Sequence, residues 1–385
     1  MYKKNIAIIL SRFPFPLNKG DKLRAYHQIK YLSNYFDIHL HCLHTEKIEE
    51  KDRLEIEKYC ISIHTYPLKK MTILKGILLS ILNNFPIQVG YFFSQKIKKQ
   101  IEKNIQLQSV ETLYCQLSRT ALYAKDFTCK KVIDFQDAFS ANYEKIAKES
   151  NGIFKIFYRR ESKTMKVFEQ KIFTWFDEST IISENDKAQI ANNQNIHVIQ
   201  NGVDTNYFIN ANIEKKYDIL FVGNLSYLPN KMAVFYLVNH IFPLLKLKLP
   251  NIKINIVGAD TTPDIFALAN ENITVSGFVD DVRSAYNSST LFVAPLFTGA
   301  GLQNKILEAM AMQLPCVSTS VVNASLNAMD KNQIFIANNE DEFVSSILLL
   351  LQDISLQNEI KNNAKEFILK KFSWQVANEK LLQIL

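Results

Sequence analysis

Short apolar runs of strand length alternate with amphipathic stretches of helical spacing along most of the chain, and this alternation restricts the possible folds most strongly. The predicted strands are 5–10, 38–43, 62–66, 112–115, 132–135, 179–183, 197–200, 217–222, 254–257, 274–275, 291–294 and one that begins near 316. Strands separated by helices are typical of parallel, doubly wound α/β sheets. The polar stretch 209–217 has no apolar period and is the candidate linker between two such series.

The chain has 385 residues, which is long for a single hydrophobic core and favours two domains. We predict an N-terminal domain over 1–210, a second domain over 211–365 and a C-terminal helix over 366–385 that packs back on the first domain. The hydrophobic content of 47% and the charged content of 22% exclude a disordered or fibrous chain.

The cysteines and the apolar runs indicate a cytoplasmic protein. The five cysteines are scattered and show no C-x-x-C or Cys/His spacing, which argues against a disulfide framework or a zinc site. The N-terminal apolar run ends at Leu10, next to Arg12, and is too short for a signal peptide. The run 73–82 is interrupted by Lys75 and Gly76, whereas a membrane span needs about 20 apolar residues.

The net charge of +7 is concentrated in the first half of the chain. The stretch 59–101 contains six lysines and no acidic residue, and its lysines alternate with the apolar groups ILLSIL and YFF. This composition suits a helix on an anionic membrane surface, and it equally suits an ordinary domain face with solvated lysines. Because no recognition motif accompanies the charge, nucleic acid is not expected as a partner.

The stretch 289–320 predicts a phosphate site. A buried strand, 291–294, is followed by a glycine-bearing loop and then by a helix that carries Lys305 and Glu308 in its first turns. The free N–H groups at the start of a helix, together with the helix dipole, favour a bound phosphate. Lys305 and Glu308 share one helix face, so a cation for phosphate and a carboxylate for hydroxyl groups project together. A surface loop with a simple i,i+3 ion pair is the alternative.

Three other strands of the second half also end in glycine-containing loops. These loops are Gly223-Asn224, Gly258 and Gly277-Phe278-Val279. Since the carboxyl ends of parallel strands meet at one edge of a sheet, the loops would line one rim with the stretch 289–320. Such a rim is the outline of a nucleotide site.

Polar side chains also follow two strands of the first half. The loop and helix start after the first strand carry Asn18, Lys19, Gly20 and Arg24, without the G-x-G-x-x-G of a dinucleotide site. Asp134 and Asp137 stand at the end of the strand 132–135. These carboxylates could bind a metal or act as a base, and Asp137 could equally cap the next helix.

Together these segments resemble the GT-B glycosyltransferases of family four (group 1), and within that family the bacterial sugar transferases associated with exopolysaccharide gene clusters. The resemblance covers nearly the whole chain and is carried by the order of RFPFPLNKGDKLRAYHQ, VIDFQDAFS, STIISENDK, VIQNGVDTNYF, ILFVGNLSYLPN, INIVG, ITVSGFVDDV and LFVAPLFTGAGLQNKILEAMAMQLPCVST. It implies two facing Rossmann-like domains, with a nucleotide-sugar donor held mainly by the second and the acceptor by the first.

The resemblance also implies roles for individual residues. The donor-binding residues would be Gly20, Gly223, Asn224, Gly277, Phe278, Val279, Gly299, Ala300, Gly301, Leu302, Lys305 and Glu308, with help from Lys231. The acceptor side would contain Asn18, Lys19 and Arg24, and Lys305 and Asp137 would be catalytic. The chain departs from the family pattern at Ala300, where a glutamate is usual, and at Asn224, where an arginine is usual.

The implied chemistry is sugar transfer with retention of the anomeric configuration and without a metal or a cofactor. The expected partners are a UDP- or GDP-sugar donor and a saccharide or lipid-linked acceptor. The protein would also bind the anionic inner surface of the cytoplasmic membrane. A sugar-nucleotide epimerase or a non-catalytic sugar-nucleotide binding protein of the same fold are the alternatives.

Overall fold

The computed structural model describes residues 3–190, 196–211, 213–298 and 301–385. Its internal contacts divide the chain into two compact units. The first unit comprises Met1–Asn201 with Ala377–Leu385, and the second comprises Gly202–Val376. Each unit has a hydrophobic core of its own.

The first unit is built on a seven-stranded sheet. Its strands are β1 Lys4–Leu10, β2 Phe36–His44, β3 Ser62–Pro67, β4 Thr112–Gln116, β5 Lys130–Asp134, β6 Glu178–Ile181 and β7 Ile196–Val198. They pair in parallel in the order β3-β2-β1-β4-β5-β6-β7. Its helices are α1 Gly20–Leu32, α2 Glu50–Glu57, α3 Lys70–Leu82, α4 Ile87–Phe92, α5 Gln95–Leu107, α6 Ala121–Ala124, α7 Phe139–Glu149, α8 Gly152–Ile172 and α9 Glu184–Ile190.

The second unit repeats this design with six strands. Its strands are β8 Tyr217–Val222, β9 Ile254–Val257, β10 Ile273–Gly277, β11 Ser289–Ala294, β12 Cys316–Ser318 and β13 Phe335–Ile336. They pair in parallel in the order β10-β9-β8-β11-β12-β13. Its helices are α10 Leu228–Tyr236, which continues through a π-helical segment, α11 Phe242–Lys248, α12 Pro263–Phe266, α13 Arg283–Asn287, α14 Asn304–Ala311, α15 Ser320–Leu326, α16 Glu340–Gln352 and α17 Ile354–Lys371. The last helix, α18 Trp374–Ile384, begins in the second unit and has most of its residues in the first.

The predicted fold class, two Rossmann-like parallel sheets, is confirmed. All the strands expected from the sequence form, because their apolar runs are buried between helix layers. The strand β13 was missed, since two residues are too few to produce an apolar run. None of the described helices is both long and apolar enough to cross a bilayer.

The chain leaves and re-enters the first unit at neighbouring points. The N–H of Val203 donates to the carbonyl of Phe372 at 2.7 Å, and Val203 also bridges Ser373. A Cβ on Gly202 would lie 2.4 Å from the N of Trp374, so the two segments run side by side. The boundaries predicted at 210/211 and 365/366 both lie inside the second unit of this division.

In both sheets the strand order reverses beside the first strand of the unit. Ligands of open α/β sheets bind outside the carboxyl ends of the strands at this switch point. In the first unit the switch lies between β1 and β4, and in the second between β8 and β11. The loops that leave these four strands therefore lie where a site is expected.

Two glycines bring the loops after β8 and β9 unusually close together. A Cβ on Gly258 would lie 1.7 Å from the carbonyl oxygen of Gly223, which leaves no room for a side chain. The N–H of Gly223 donates to Val257 O at 3.0 Å, and the N–H of Gly258 donates to Gly277 O at 2.8 Å. These bonds join the ends of β8, β9 and β10 into one continuous rim.

Substitution at this contact should weaken the second unit. We expect Gly258→Ala to lower the free energy of unfolding by about 1–3 kcal/mol, because the new methyl group meets backbone that cannot move aside. Thermal denaturation followed by circular dichroism measures this. Gly20→Ala is the control, since no atom lies within 4 Å of the added Cβ. Equal melting temperatures for the two variants would contradict the close approach.

Candidate functional site

The start of α14 in the second unit is open to an anion. Its N-cap residue, Gln303, makes no side-chain cap hydrogen bond, so the N–H groups of the first turn are not capped by it. Gly301 precedes it with a φ of +108°, and nothing lies within 4 Å of where its Cβ would be. The predicted residues Gly299 and Ala300 lie outside the described residues. The helix dipole and the uncapped N–H groups provide the positive end expected of a phosphate site.

Lys305 lies in the first turn of this helix, with its ammonium drawn toward the protein. The ammonium donates a hydrogen bond to Asn230 Oδ1 and lies 5.6 Å from the ring centroid of Phe221. Burial lowers the pKa of Lys305 to about 8, and the nearby carboxylate of Glu308 opposes this shift. A phosphate beside the ammonium would favour the charged form, so anion binding and protonation of Lys305 are coupled.

Glu308 lies one turn further along α14 and is held by a buried tyrosine. The hydroxyl of Tyr286, which is 0% exposed, donates to Glu308 Oε2 at 3.0 Å and to Lys305 O at 3.3 Å. Burial raises the pKa of Glu308, while the Tyr286 hydrogen bond and the charge of Lys305 oppose the rise. The tyrosine thus fixes one carboxylate oxygen and orients the other. Periodicity gave no reason to single out Tyr286, whose partner lies 22 residues away.

Asn230 connects the two sides of the rim, and the sequence prediction missed it. Its Oδ1 accepts from Lys305, and its Nδ2 donates to the carbonyl of Asn224 at 2.8 Å. Asn230 is 5% exposed and lies against Gly223, where an added Cβ would be 2.8 Å from Nδ2. The Pro229-Asn230 pair within ILFVGNLSYLPN was the available signal.

The predicted residues Asn224 and Lys231 are both occupied by structural contacts. Asn224 Oδ1 accepts from the N–H groups of Ser226 and Tyr227 at 3.0 and 3.2 Å, and Nδ2 donates to Asp260 at 2.8 Å. Asn224 therefore shapes the turn at the position where the family resemblance led us to expect an arginine. Lys231 forms a 2.6 Å ion pair with Asp264 on α12.

The loop after β10 presents an aromatic ring to solvent. Gly277 has a φ of +65°, and a Cβ there would approach the ring of Phe266 to 3.3 Å. Phe278 is 70% exposed, so its ring is accessible to an aromatic or apolar group of a ligand. Val279 and Leu302 pack their side chains against the hydrophobic core, which leaves their backbone groups for a ligand.

In the first unit, the loop after β1 leads to a cluster of two arginines around one carboxylate. Gly20 begins α1, and Asn18 and Lys19 before it are exposed. Asp21 Oδ2 lies 2.6 Å from Arg12 Nη1 and 3.1 Å from Arg119 Nη2. One carboxylate cannot neutralise two guanidinium groups, so this switch point has an excess of positive charge.

Arg119 reaches the cluster from the turn after β4 and was not predicted. Its Nε donates to Ser11 Oγ at 2.9 Å, and its guanidinium lies 4.4 Å from the ring centroid of Phe92. Burial lowers the pKa of Arg119 to about 10, with a further contribution from Arg12. An anionic group of a ligand would relieve this repulsion.

Arg24, predicted on the acceptor side, is instead a buried structural residue. It is 1% exposed, and its Nε and Nη2 donate to Asp134 at 2.6 and 3.3 Å. Its Nη1 donates to Asn201 Oδ1 at 2.9 Å. Asp134 also accepts from Tyr114 at 2.9 Å and from Thr180 at 2.8 Å, so both charges are fully engaged. The pair fastens α1 to the sheet and leaves Asp134 no free oxygen for a metal or an acceptor.

Asp137 is half-buried beside these groups and does not cap α7, whose N-cap residue is Ala138. Burial raises the pKa of Asp137 to about 6, and the carboxylates of Asp186 and Asp134 add to the shift while Arg24 opposes it. The residue before it, Gln136, has a φ of +60°, a strained conformation for a non-glycine residue. A carboxyl group that titrates near neutral pH is suited to proton transfer.

We expect the ionised carboxylate of Asp137 to destabilise the folded state at neutral pH. Because its pKa is raised in the folded state from 3.8 to about 6, the free energy of unfolding falls as pH rises through that window. We expect Asp137→Asn to raise the stability by about 1–3 kcal/mol above pH 6, with no gain below pH 4, as measured by denaturant unfolding across pH.

Asp134→Asn is the matched contrast on the same strand end. It leaves the buried guanidinium of Arg24 uncompensated, which should destabilise the fold by about 3–5 kcal/mol. If Asp137→Asn were also destabilising at pH 7, Asp137 would be a structural residue like its neighbour.

The second unit matches a known protein family. Residues 216–353 match the family model described as "Glycosyl transferases group 1". This range includes β8, the rim of glycine loops and α14 with Lys305 and Glu308.

Two curated proteins are similar to the chain in sequence. An uncharacterized 44.6 kDa protein in the cps region of Klebsiella pneumoniae is 25% identical over 390 residues, covering 95% of this chain and 96% of that protein. The capsular polysaccharide biosynthesis glycosyltransferase CapM of Staphylococcus aureus is 26% identical over 186 residues, covering 45% of this chain and 48% of that protein.

Among solved structures, HepE of Anabaena in complex with UDP has a TM-score of 0.66 and 13% sequence identity, and the match covers 99% of this chain and 98% of that one. The same protein has also been solved with UDP-glucose, at a TM-score of 0.63. At this level of identity the likeness establishes the fold, and it confirms the GT-B fold class expected from the sequence.

Proposed function

We propose that this chain is a group 1 glycosyltransferase that transfers a sugar from a UDP- or GDP-sugar to a saccharide or lipid-linked acceptor with retention of the anomeric configuration. The observation that carries the proposal is the open start of α14 with Lys305 and Glu308 on one face. The relatives in the cps region and in capsule biosynthesis favour a cell-surface polysaccharide as the product.

The donor diphosphate would bind at the start of α14. The uncapped N–H groups and the ammonium of Lys305 are donors for its oxygens, and Glu308 would accept from the ribose hydroxyls. The complexes of HepE with UDP and UDP-glucose support a nucleotide-sugar donor. Phe278 would stack on the base, beside the backbone groups of Gly277 and Val279.

Transfer breaks the bond between the anomeric carbon and the diphosphate oxygen and forms a bond to the acceptor oxygen on the same face of the sugar. The electron pair of the broken bond leaves with the diphosphate, and the acceptor hydroxyl gives its proton to the departing diphosphate oxygen. Lys305 and the helix terminus would stabilise the charge that develops on the leaving group, so the step needs no metal. Asp137, with its pKa of about 6, would be the acceptor-side group near the reacting sugar.

The acceptor would be anionic or carry an anionic anchor. The two guanidinium groups around Asp21 leave an excess of positive charge at the switch point of the first unit. A lipid-linked saccharide has a phosphate at its reducing end, which suits this charge. We place the reaction at the inner face of the cytoplasmic membrane, with the protein peripheral to it.

Substitutions on α14 test the donor site. We expect Lys305→Ala to lower kcat by about 10²–10³, because the leaving diphosphate loses its cation. Glu308→Gln should weaken donor binding by about tenfold or more, because a charge-assisted hydrogen bond is lost. Transfer assays and thermal shifts with UDP-, GDP- and ADP-sugars measure the two effects, and EDTA should leave the wild-type rate unchanged.

Lys231→Ala is the matched control, a lysine on the same rim that is already paired with Asp264. It should retain most of the activity. Full activity of Lys305→Ala would refute the site assignment, and loss on chelation would refute the metal-free step. Donor binding without transfer or hydrolysis would indicate a binding protein, and conversion of the donor sugar without acceptor would indicate an epimerase.

A further inference from the structure

The helix α3 is apolar along most of its length, yet it lies on the surface of the first unit. Of its 13 residues only Ser80 is buried. Met71, Leu74 and Leu82 are 77%, 60% and 71% exposed, and Leu78 is 57% exposed. A helix of a soluble domain normally turns such side chains toward its core, so this exposed face is a candidate interaction surface.

The packing of α3 explains why its large side chains point outward. It contacts α4 through its small residues, since a Cβ on Gly76 would lie 2.0 Å from the carbonyl oxygen of Gly90. A Cβ on Gly90 would in turn lie 1.9 Å from Ser80 Oγ. Because the side facing α4 admits only small residues, the leucines and Met71 occupy the opposite face.

The first turns of α8 extend this apolar surface. Ile153, Phe154 and Ile156 are 76%, 65% and 70% exposed. Arg160 on α8 donates through Nη2 to the carbonyls of Ser80 and Phe85 at 2.9 and 3.2 Å, which ties α8 to the end of α3. The exposed apolar side chains of the two helices therefore belong to one surface, which we name the α3–α8 surface.

The exposed charges on α3 and α8 themselves are basic. The only acidic residues of α8 are Glu161 and Glu169, which are 1% and 0% exposed, and the stretch 59–101 has none. Glu161 accepts from the N–H of Ile87 at 3.0 Å, so its charge is used within the fold. Lys70 and Lys75 on α3, and further basic residues on α8, remain exposed.

A groove of about 550 Å³ lies between the segment after α3 and α8. Its lining combines the amides of Asn83 and Asn84 with the cations of Arg159 and Lys163. Arg159 and Lys163 are exposed, and neither forms a salt bridge with any residue that the structure describes. Asn83 Nδ2 already donates to the carbonyl of Leu79 at 2.8 Å, so the cations of Arg159 and Lys163 are the main candidates for binding an anion here. Exposed cations beside apolar side chains suit a phosphate that is attached to acyl chains.

We propose that the α3–α8 surface docks on a bilayer of anionic phospholipid, with its apolar side chains among the acyl chains and a lipid phosphate in the groove between Asn83 and Arg159. This deepens the proposed function, since it rests on the membrane location and names the surface responsible. Apolar side chains rimmed by cations are complementary to the interface of an anionic membrane.

A second copy of the chain is a poorer occupant of this surface. A two-fold interface would bring the same face of both copies together, so the cations of one copy would approach those of the other, and neither α3 nor α8 has an exposed carboxylate to separate them. Like charges placed face to face disfavour association, whereas phosphate groups neutralise them.

Vesicle flotation with the full chain tests the docking. The wild-type protein should bind vesicles of phosphatidylcholine mixed with phosphatidylglycerol, should release them at high salt, and should not bind phosphatidylcholine alone. Arg159→Ser combined with Lys163→Ser should weaken binding on the order of twentyfold, at about fivefold per charge. Leu78→Ser combined with Leu82→Ser should abolish insertion, as measured by protection of a nearby fluorophore from an aqueous quencher.

The matched control lies on α11 in the second unit, where Leu247 is 82% exposed and Lys248 is exposed. Leu247→Ser combined with Lys248→Glu should leave flotation unchanged. Equal binding by the α3–α8 variants and the wild type, or equal binding to neutral vesicles, would overturn the proposal. A wild-type dimer that becomes monomeric in the Leu78/Leu82 variant, with no vesicle binding, would assign the surface to a second copy instead.

Measuring nucleotide-sugar binding shows whether a negative result counts against the membrane docking or against the proposed transferase function. The α3–α8 variants should keep the thermal shift with nucleotide-sugar, because the surface is in the first unit and α14 is in the second. Vesicle binding without any nucleotide-sugar binding would refute only the transferase proposal, and the reverse result would refute only the docking.

Discussion

Parallel strand pairing is the constraint on which the rest of the molecule depends. A parallel sheet brings the carboxyl ends of its strands to one edge, and the following helices begin at that edge. In the second unit this places the loops after β8 and β11 side by side, and the loop after β11 leads into α14. The position of the start of α14 is thus a consequence of the topology, and Lys305 and Glu308 lie where the helix dipole is already positive.

Two neighbouring carboxylates of the first unit have different surroundings, and the difference separates a structural group from a chemically reactive one. In the first unit, Arg24 and Asp134 satisfy each other together with neighbouring hydroxyl groups, so they stabilise the sheet and are not available to a ligand. Asp137, three residues later, has like charges as neighbours, and its pKa is raised to about 6. Incomplete compensation of this kind destabilises the fold slightly and leaves a group able to exchange a proton.

The α3–α8 surface of the first unit also contains groups that do not stabilise the folded chain but are suited to binding. An apolar helix that packs through Gly76 and Ser80 leaves its leucines in water, which contributes nothing to folding. The acidic residues of α8 are buried while its basic ones are exposed. The buried carboxylate of Glu161 accepts hydrogen bonds from the N–H of Ile87 and from Arg160. Both features become favourable in contact with an apolar, negatively charged medium.

The sequence by itself determined the two α/β series, the glycine turns at the strand ends and the shared helix face of Lys305 and Glu308. Each of these depends on spacings of two to four residues, which local backbone geometry converts into strands, turns and helix faces. The acid-free stretch 59–101 likewise marked α3 before its surroundings were known.

Only the tertiary structure decided which side chains meet. Arg24 lies 110 positions from Asp134 and Lys305 lies 75 from Asn230, and no local period relates such pairs. For the same reason the sequence could not show that Arg24 is buried, that Tyr286 holds Glu308, or that α8 continues the apolar face of α3. These depend on how the helix layers close over the sheets, because burial and charge pairing are properties of the packed chain and not of its spacing.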